Sequence, residues 1–175
     1  SLRGVGACDW EWNRESKEPA GLAVATATNQ YYLPVRGSDY IQETNLRPPW
    51  TVALSEYRDT QPVLHNARAD IGTQFAGNAL ILCGRAIDDT MVMAYLCGEA
   101  DLRLKHLTKK YLGRTPVEYP GEIEDIPVAQ AARYAASGDA RNTWDLRNKL
   151  IPELVKRNQL SVYEDIERPL IPVIT

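Results

Sequence analysis

The chain has 175 residues, 44% of them hydrophobic, and its 20 basic and 23 acidic side chains give a formal net charge of −3 at pH 7. This length and apolar content suffice for one domain with its own core and argue against a disordered segment. The near balance of charge gives no overall indication of nucleic-acid binding, although an acidic centre can mask a local basic patch.

The cysteines and the start of the chain bear on its compartment. Cys8, Cys83 and Cys97 are odd in number and widely spaced, which matches neither a disulfide framework nor a zinc site. No apolar run reaches the roughly 18 residues that a membrane span needs, and the first residues do not form a signal peptide. We therefore expect a reducing, cytoplasmic location and no membrane partner.

Strand patterns open the sequence, and strands interleaved with helices follow. Residues 4–12 predict a strand, and residues 21–28 and 30–35 predict two more, so that an antiparallel three-strand meander is the simplest arrangement. Shorter strands are predicted at 63–65 and 86–87, and helices at 50–58, 71–82, 90–97, 102–112, 128–158 and 160–166, the long one with breaks near Ser137-Gly138 and at Pro152. This order indicates an α/β domain with a mixed central sheet flanked by helices.

Two carboxylates, Asp9 and Glu11, are separated by one residue on the first predicted strand. Period-two alternation places both on one face of the sheet and turns Trp10 and Trp12 to the other. Neighbouring carboxylates repel each other unless a cation neutralises them, and Mg²⁺ and Mn²⁺ prefer such oxygen ligands. The pattern therefore predicts a metal site; the alternative is a solvated strand edge, which the apolar residues before Asp9 disfavour.

Two further acidic residues lie where they fit the same site. Asp70 follows Asn66 by four residues, between a predicted strand and a predicted helix. Sites collect at strand ends in open α/β sheets, although a helix cap for Asp70 and a turn for Asn66 are the simpler roles. Asp139 lies among small residues on a long helix, where burial of a carboxylate is costly unless a charge such as a metal ion compensates it.

In this order, the segments resemble the exonuclease domain of bacterial DNA polymerase I and its family-A relatives, a branch of the four-carboxylate exonuclease superfamily. The matching segments are Asp9-x-Glu11, Asn66-x-x-x-Asp70, Asp89-Thr90-Met91, the helix from Leu104 to Leu112, the third motif from Tyr134 to Ala140, and Glu167 to Val173. Each motif is weak alone, but the ordered set covers nearly the whole chain. In the family the last segment leads into the polymerase domain, so we expect residues 1–175 to be a single exonuclease domain cut just before it.

The resemblance implies a ribonuclease H-like fold and hydrolysis of the 3′-terminal phosphodiester of DNA, with release of nucleoside 5′-monophosphates. It implies two divalent metal ions, Mg²⁺ or Mn²⁺, held by Asp9, Glu11, Asp70 and Asp139. Tyr134 would orient the attacking water, which makes these five the expected catalytic residues.

The resemblance also implies partners. They are single-stranded DNA or a frayed 3′ end and a covalently linked or associated DNA polymerase domain, in the replication compartment of the host. We expect Asn66 and Arg68 to contact the substrate strand. His65 and Trp12 would stack on a frayed base, with a core role as the alternative for the tryptophan.

The spacing in the third motif departs from the family pattern. The family's tyrosine precedes its aspartate by four residues, but Tyr134 precedes Asp139 by five. On a regular α-helix a four-residue pair lies about 40° apart and a five-residue pair about 140° apart. We predict that a π-bulge at Ser137-Gly138 absorbs the extra residue; the alternatives are a displaced Tyr134 or an impaired site.

Two other functions stay open at the level of sequence. An RNA 3′-end trimming exonuclease of the same superfamily would use the same carboxylates, although the polymerase-like last segment favours the DNA enzyme. A non-catalytic, exonuclease-like DNA-binding module would account for the altered third motif, but all four acidic residues are present.

Overall fold

A five-stranded mixed sheet forms the centre of the fold. The computed structural model describes residues 4–13, 15–16, 18–39, 60–71 and 86–173. The strands are β1 (Gly4–Trp12), β2 (Pro19–Ala25), β3 (Gln30–Pro34), β4 (Thr60–Leu64) and β5 (Asp88–Asp89). Their order is β3-β2-β1-β4-β5, with antiparallel pairing among the first three strands of the chain and parallel pairing from β1 to β4 and from β4 to β5. The predicted mixed sheet with an antiparallel opening meander is confirmed.

The carboxyl half of β1 extends past its parallel neighbour. β1 pairs with β4 only from Gly4 to Ala7, which lies opposite Val63, whereas its pairing with β2 continues to Trp12. Within the described part of the sheet, one edge of β1 is therefore open beyond Ala7. The chain turns from β4 into helix α1 (Ala67–Ile71), which brings α1 to this edge.

The two faces of the sheet carry different cores. One face is packed with large apolar side chains, among them Trp10, Leu22, Leu64 and Ile171, with Trp12 partly buried against them. On the other face, alanines of the strands pack against alanines of the long helical segment. Because small side chains let a helix approach closely, polar groups on that helix can reach the strands.

Helices cover the sheet. After α1 come α2 (Thr90–Leu96), α3 (Leu104–Leu107), α4 (Val128–Tyr134), α5 (Arg141–Lys156), α6 (Leu160–Val162) and α7 (Arg168–Leu170), with a 3₁₀ turn at Ile123–Asp125. π-helical turns follow α3 at Thr108–Leu112, join α4 to α5 at Ala135–Ala140 and follow α6 at Tyr163–Glu167. In the described ranges, no helix is long and apolar enough to cross a membrane.

Two predicted boundaries near the site are wrong. The strand predicted at 86–87 lies two residues later, at Asp88–Asp89, where the backbone pairs with the end of β4. Helix α1 starts at Ala67 rather than near Asp70. Asp70 therefore lies inside the first turn and is not the helix cap, since the chain already turns before it.

The predicted break at Pro152 is also wrong, because α5 continues through this residue. Pro152 is exposed, so water can satisfy the carbonyl group that loses its helical N–H partner. The helix predicted at 50–58 and all but the first residue of the helix predicted at 71–82 lie outside the described residues.

Candidate active site

Asp9 and Glu11 lie side by side on β1, on the face of the sheet that packs against the long helical segment. Their strand partners on β2 are Ala23 and Gly21, so small residues flank both carboxylates. Glu11 is buried, Asp9 is half-buried, and the two side chains share a hydrogen bond. The predicted common face is confirmed, since both neighbouring tryptophans pack on the opposite face.

Asp70 reaches the same place from α1. Its carboxylate accepts a hydrogen bond from the backbone N–H of Trp10, at the open edge of β1. Asp70 is buried. Its charge contributes to the raised pKa of Asp9, and the charge of Glu11 contributes to the raised pKa of Asp70. Helix α1 thus places the third carboxylate, that of Asp70, at the edge of β1 that the short pairing with β4 leaves open.

Asp139 approaches from the π-helical turn Ala135–Ala140, which packs on the strands. Across this turn the Tyr134 hydroxyl donates a hydrogen bond to the Asp139 carboxylate. A regular α-helix would hold these two side chains about 140° apart. The predicted π-bulge is confirmed, and the extra residue does not displace Tyr134 from the carboxylates.

The four carboxylates are close enough to change one another's titration. Burial raises the pKa of Asp9 well above its ordinary value, and the charges of Glu11, Asp139 and Asp70 add to this effect. Burial also raises the pKa of Glu11 to about 7. The pKa of the Tyr134 hydroxyl is raised by burial and by the charges of Asp139, Glu11 and Asp9, so Tyr134 stays protonated and acts as a donor.

The chemistry of this donor set fits hard divalent cations. Four carboxylates in one place offer oxygen ligands and concentrate negative charge that a cation would neutralise. In the part of the chain that the structure describes, no three acidic, histidine or cysteine side chains are already arranged so that they could hold a metal ion.

Asp89, a residue with no predicted role, ties the turn before α1 to the start of α2. Its buried carboxylate accepts hydrogen bonds from the backbone N–H groups of Asn66 at 3.1 Å, Ala67 at 2.8 Å and Met91 at 2.8 Å. Asn66 has a φ of 68°, a left-handed conformation that asparagine tolerates better than most residues. Asp89 thereby holds the turn that places Asp70 beside β1.

We expect Asp89→Asn to lower the free energy of unfolding by about 1–3 kcal/mol, because the asparagine amide nitrogen cannot accept the hydrogen bonds that a carboxylate oxygen accepts. Urea unfolding followed by circular dichroism measures the change. The exposed Asp165→Asn is the matched control, with an expected effect below about 0.5 kcal/mol. Wild-type stability in Asp89→Asn would show that other contacts hold the turn.

The residues predicted to bind nucleic acid differ in their exposure and in their position relative to the carboxylates. Arg68 is exposed on α1. The ring nitrogens of His65 lie 2.8 Å from the Thr90 hydroxyl and 3.0 Å from the Leu102 carbonyl. Trp12 lies on the sheet face opposite the carboxylates, against the apolar core. The structure therefore does not bring Trp12 to the carboxylates, and the contacts of these residues with a strand or a base stay predictions.

A basic groove lies next to Asp139, between α3 and the loop after its π-helical turn. Its volume is about 430 Å³, and its lining residues are Arg103, Leu104, Lys105, His106, Lys109, Pro116 and Glu118. Lys105 lies 2.9 Å from the exposed Glu118, and its charge lowers the pKa of Asp139 against the larger, opposite effect of burial. Arg103 also has an acidic partner, Asp101, at 2.5 Å. The groove therefore carries several basic side chains, of which Arg103 and Lys105 are paired with acidic residues.

The family model of the 3′–5′ exonuclease matches residues 36–155, more than half of the chain. The chain belongs to the 3′–5′ exonuclease family. Asp70, Tyr134 and Asp139 lie inside the matched range, and β1 lies before it. A relative of this chain, the DNA polymerase I of Rhizobium leguminosarum, is 35% identical over 101 residues, which make up 51% of this chain and 10% of the polymerase. The chain thus spans about a tenth of the length of that relative.

Solved structures share the fold of this chain. Brucella melitensis NrnC has a TM-score of 0.72 at 17% identity, with 97% of this chain and 82% of NrnC covered, and NrnC was also solved with bound Mg²⁺ and bound to pGG. The catalytic core of RRP6 from Trypanosoma brucei has a TM-score of 0.65 at 17% identity, with 98% and 46% covered. Pol1 of M. smegmatis, in complex with DNA primer-template and dNTP, has a TM-score of 0.62 at 21% identity, with 95% and 26% covered. At these identities the similarity shows the fold alone, which is the expected ribonuclease H-like fold.

Proposed function

We propose that this chain is a metal-dependent 3′–5′ exonuclease that removes 3′-terminal nucleotides from DNA. The observation that carries the proposal is that Asp9, Glu11, Asp70 and Asp139 converge from three separate elements. The Tyr134 hydroxyl donates a hydrogen bond to the last of these carboxylates, Asp139. Buried carboxylates that repel one another destabilise the metal-free fold, so their grouping favours a catalytic explanation. Membership of the family supports the reaction class, and the similarity to a DNA polymerase I supports DNA as the substrate.

Each residue of the site has a distinct proposed role. Asp9 lies at the centre of the carboxylates and would hold divalent cations together with Glu11 and Asp139 on one side and Asp70 on the other. The chemistry that two bound cations supply is acidification of the attacking water and neutralisation of charge on the phosphate and the leaving 3′ oxygen. Tyr134, which stays protonated, would orient that water by hydrogen bonding.

The basic groove suits a strand that enters this site. Lys105 lies beside Asp139, and Lys109 lies one helical turn, about 6 Å, farther along. The ammonium groups of the two lysines therefore suit successive phosphates of a strand. Leu104 and Pro116 provide apolar surface for sugars and base faces. A single strand can follow such a groove, whereas a paired end must first separate, which costs a few kcal/mol.

Digestion of a 5′-labelled oligonucleotide with Mg²⁺ tests the proposed function. We expect stepwise release of nucleoside 5′-monophosphates from the 3′ end, faster from single-stranded or frayed ends than from a matched duplex, and complete loss with EDTA. Equal rates on both substrates would count against the proofreading type. Absence of hydrolysis with Mg²⁺ and with Mn²⁺ would overturn the proposal and favour a non-catalytic DNA-binding module.

A second candidate is an exonuclease that acts on RNA 3′ ends. The observation in its favour is the TM-score of 0.71 with NrnC bound to pGG, compared with 0.62 for Pol1 in complex with DNA. Rates on DNA and RNA oligonucleotides of one sequence decide between the candidates. Faster cleavage of RNA would favour the RNA exonuclease, and faster cleavage of DNA would favour the DNA exonuclease. The DNA exonuclease is the candidate for which we also propose a linked or associated polymerase domain.

Charge reversal in the basic groove should affect long substrates selectively. We expect Lys109→Glu to raise the KM for a long single strand about 5-fold or more at low salt, since a phosphate contact is lost. Hydrolysis of a dinucleotide should be unchanged, because Lys109 lies one helical turn beyond Lys105. Lys156→Glu, on the exposed end of α5, is the control. An equal effect of Lys109→Glu on both substrates would contradict the proposed path of the strand.

A further inference from the structure

Tyr32 lies across β2, directly over Gly21. Tyr32 is on β3 opposite Ala23, while Gly21 is the β2 residue opposite Glu11. A Cβ atom added at Gly21 would collide with the Tyr32 hydroxyl group and ring. The missing side chain at Gly21 therefore lets the tyrosine ring extend from β3 over β2 toward β1 and its carboxylates.

The Tyr32 hydroxyl is buried and has no hydrogen-bond partner among the described residues. Burial, with smaller contributions from the charges of Glu11 and Asp9, raises the pKa of Tyr32, so the hydroxyl remains a donor. Buried hydroxyl groups in folded proteins nearly always have a partner, and an exception points to a bound group that supplies or rearranges one. The other tyrosine of the site, Tyr134, already has its partner in Asp139.

We propose that Tyr32 is a positioning residue of the nuclease site, whose hydroxyl donates a hydrogen bond to the Glu11 carboxylate when a divalent cation is bound. The inference rests on the proposed function. In the structure Glu11 is hydrogen-bonded to Asp9. A cation bound by both carboxylates would replace that contact and leave a Glu11 oxygen free to accept from the hydroxyl over Gly21. Such outer partners orient metal ligands and strengthen metal binding.

Tyr32→Phe tests this role, with Tyr31→Phe as the matched control because Tyr31 is the adjacent tyrosine of β3 and is 43% exposed. Calorimetry should find Mn²⁺ binding about 10-fold or more weaker in Tyr32→Phe, as for the loss of other outer partners of metal ligands, and unchanged in Tyr31→Phe. Without metal, Tyr32→Phe should melt at the wild-type temperature or above, because no hydrogen bond is lost. Mn²⁺ should then raise its melting temperature less than that of the wild type.

Each contrary result has a separate meaning. Wild-type Mn²⁺ affinity in Tyr32→Phe would overturn the role of Tyr32 and leave the proposed function intact. A lower melting temperature of metal-free Tyr32→Phe would also overturn the role, since the hydroxyl would then have a partner within the fold. Absence of Mn²⁺ binding by the wild type would overturn both. Gly21→Ala displaces the same ring, so a folded Gly21→Ala protein with wild-type affinity would count against the inference as well.

Discussion

Asp9→Asn and Asp70→Asn are each expected to reduce Mg²⁺-dependent release of 3′-terminal nucleotides by more than about 100-fold. Loss of an outer partner of a metal ligand already costs about 10–100-fold, and these two side chains are proposed as ligands themselves. Asparagine keeps the size of the side chain and one acceptor oxygen, so the Trp10 N–H that binds Asp70 keeps a partner. The measurement is the hydrolysis rate on a single-stranded oligonucleotide at saturating Mg²⁺.

The same variants provide a control for folding, because loss of a charge here should stabilise the metal-free protein. The pKa of Glu11 is raised from 4.5 to about 7, so the folded protein keeps a proton that the unfolded chain releases. Stability without metal therefore falls as the pH rises between these values. Asp9→Asn removes a second carboxyl group, whose pKa is raised by burial and by the charges of Glu11, Asp139 and Asp70, so this variant should flatten the decline. Melting curves recorded in EDTA between pH 4.5 and about 7 measure this loss of stability. A variant that folds and retains near wild-type activity would remove Asp9 or Asp70 from the mechanism.

Tyr134→Phe is expected to slow hydrolysis at saturating substrate by about 10–100-fold, because the hydroxyl on Asp139 would no longer orient the attacking water. The KM should be unchanged, since the lost interaction acts in the chemical step. Phenylalanine keeps the ring contact with Tyr119, whose centroid lies 5.4 Å away. Tyr95→Phe, on the exposed side of α2, is the control, and a wild-type rate in Tyr134→Phe would contradict the proposed role.

Deletion of the exposed Ser137 is the second arm of this test. The deletion would convert the π-helical turn into a regular helix with the family's four-residue spacing, and Tyr134 and Asp139 would still face the same way. We therefore expect activity equal to that of the wild type or higher. A clear loss of activity in a folded deletion variant would show that the π-helical turn is itself required.

The features that could be predicted from the sequence are those encoded over a few residues. Alternation places Asp9 and Glu11 on one face because the side-chain period of a strand is two. The π-helical turn follows from the resemblance, because Tyr134 and Asp139 are one residue farther apart than in the family's third motif and a regular helix would turn them apart. The order of strand and helix patterns likewise sufficed for the mixed sheet with its opening meander.

Features that depend on strand pairing or on distant residues could not be predicted in this way. The start of α1 at Ala67 is determined with the help of Asp89, whose carboxylate binds backbone N–H groups 22 and 23 residues earlier in the chain. The helix start predicted near Asp70 is wrong because the local sequence preference is weaker than these hydrogen bonds. Pro152 remained helical because its exposed position allows water to compensate the lost bond.

The sequence by itself determined the family, the element order and the four carboxylates, because each of these lies in a short motif or a local period. Only the tertiary structure decided that the carboxylates meet at the open edge of β1 and that Lys105 lies beside Asp139. It also decided that Tyr32 lies over Gly21. The physical reason is that these contacts depend on which strands pair and in which register, and a shift of one residue would turn every side chain of β1 to the opposite face.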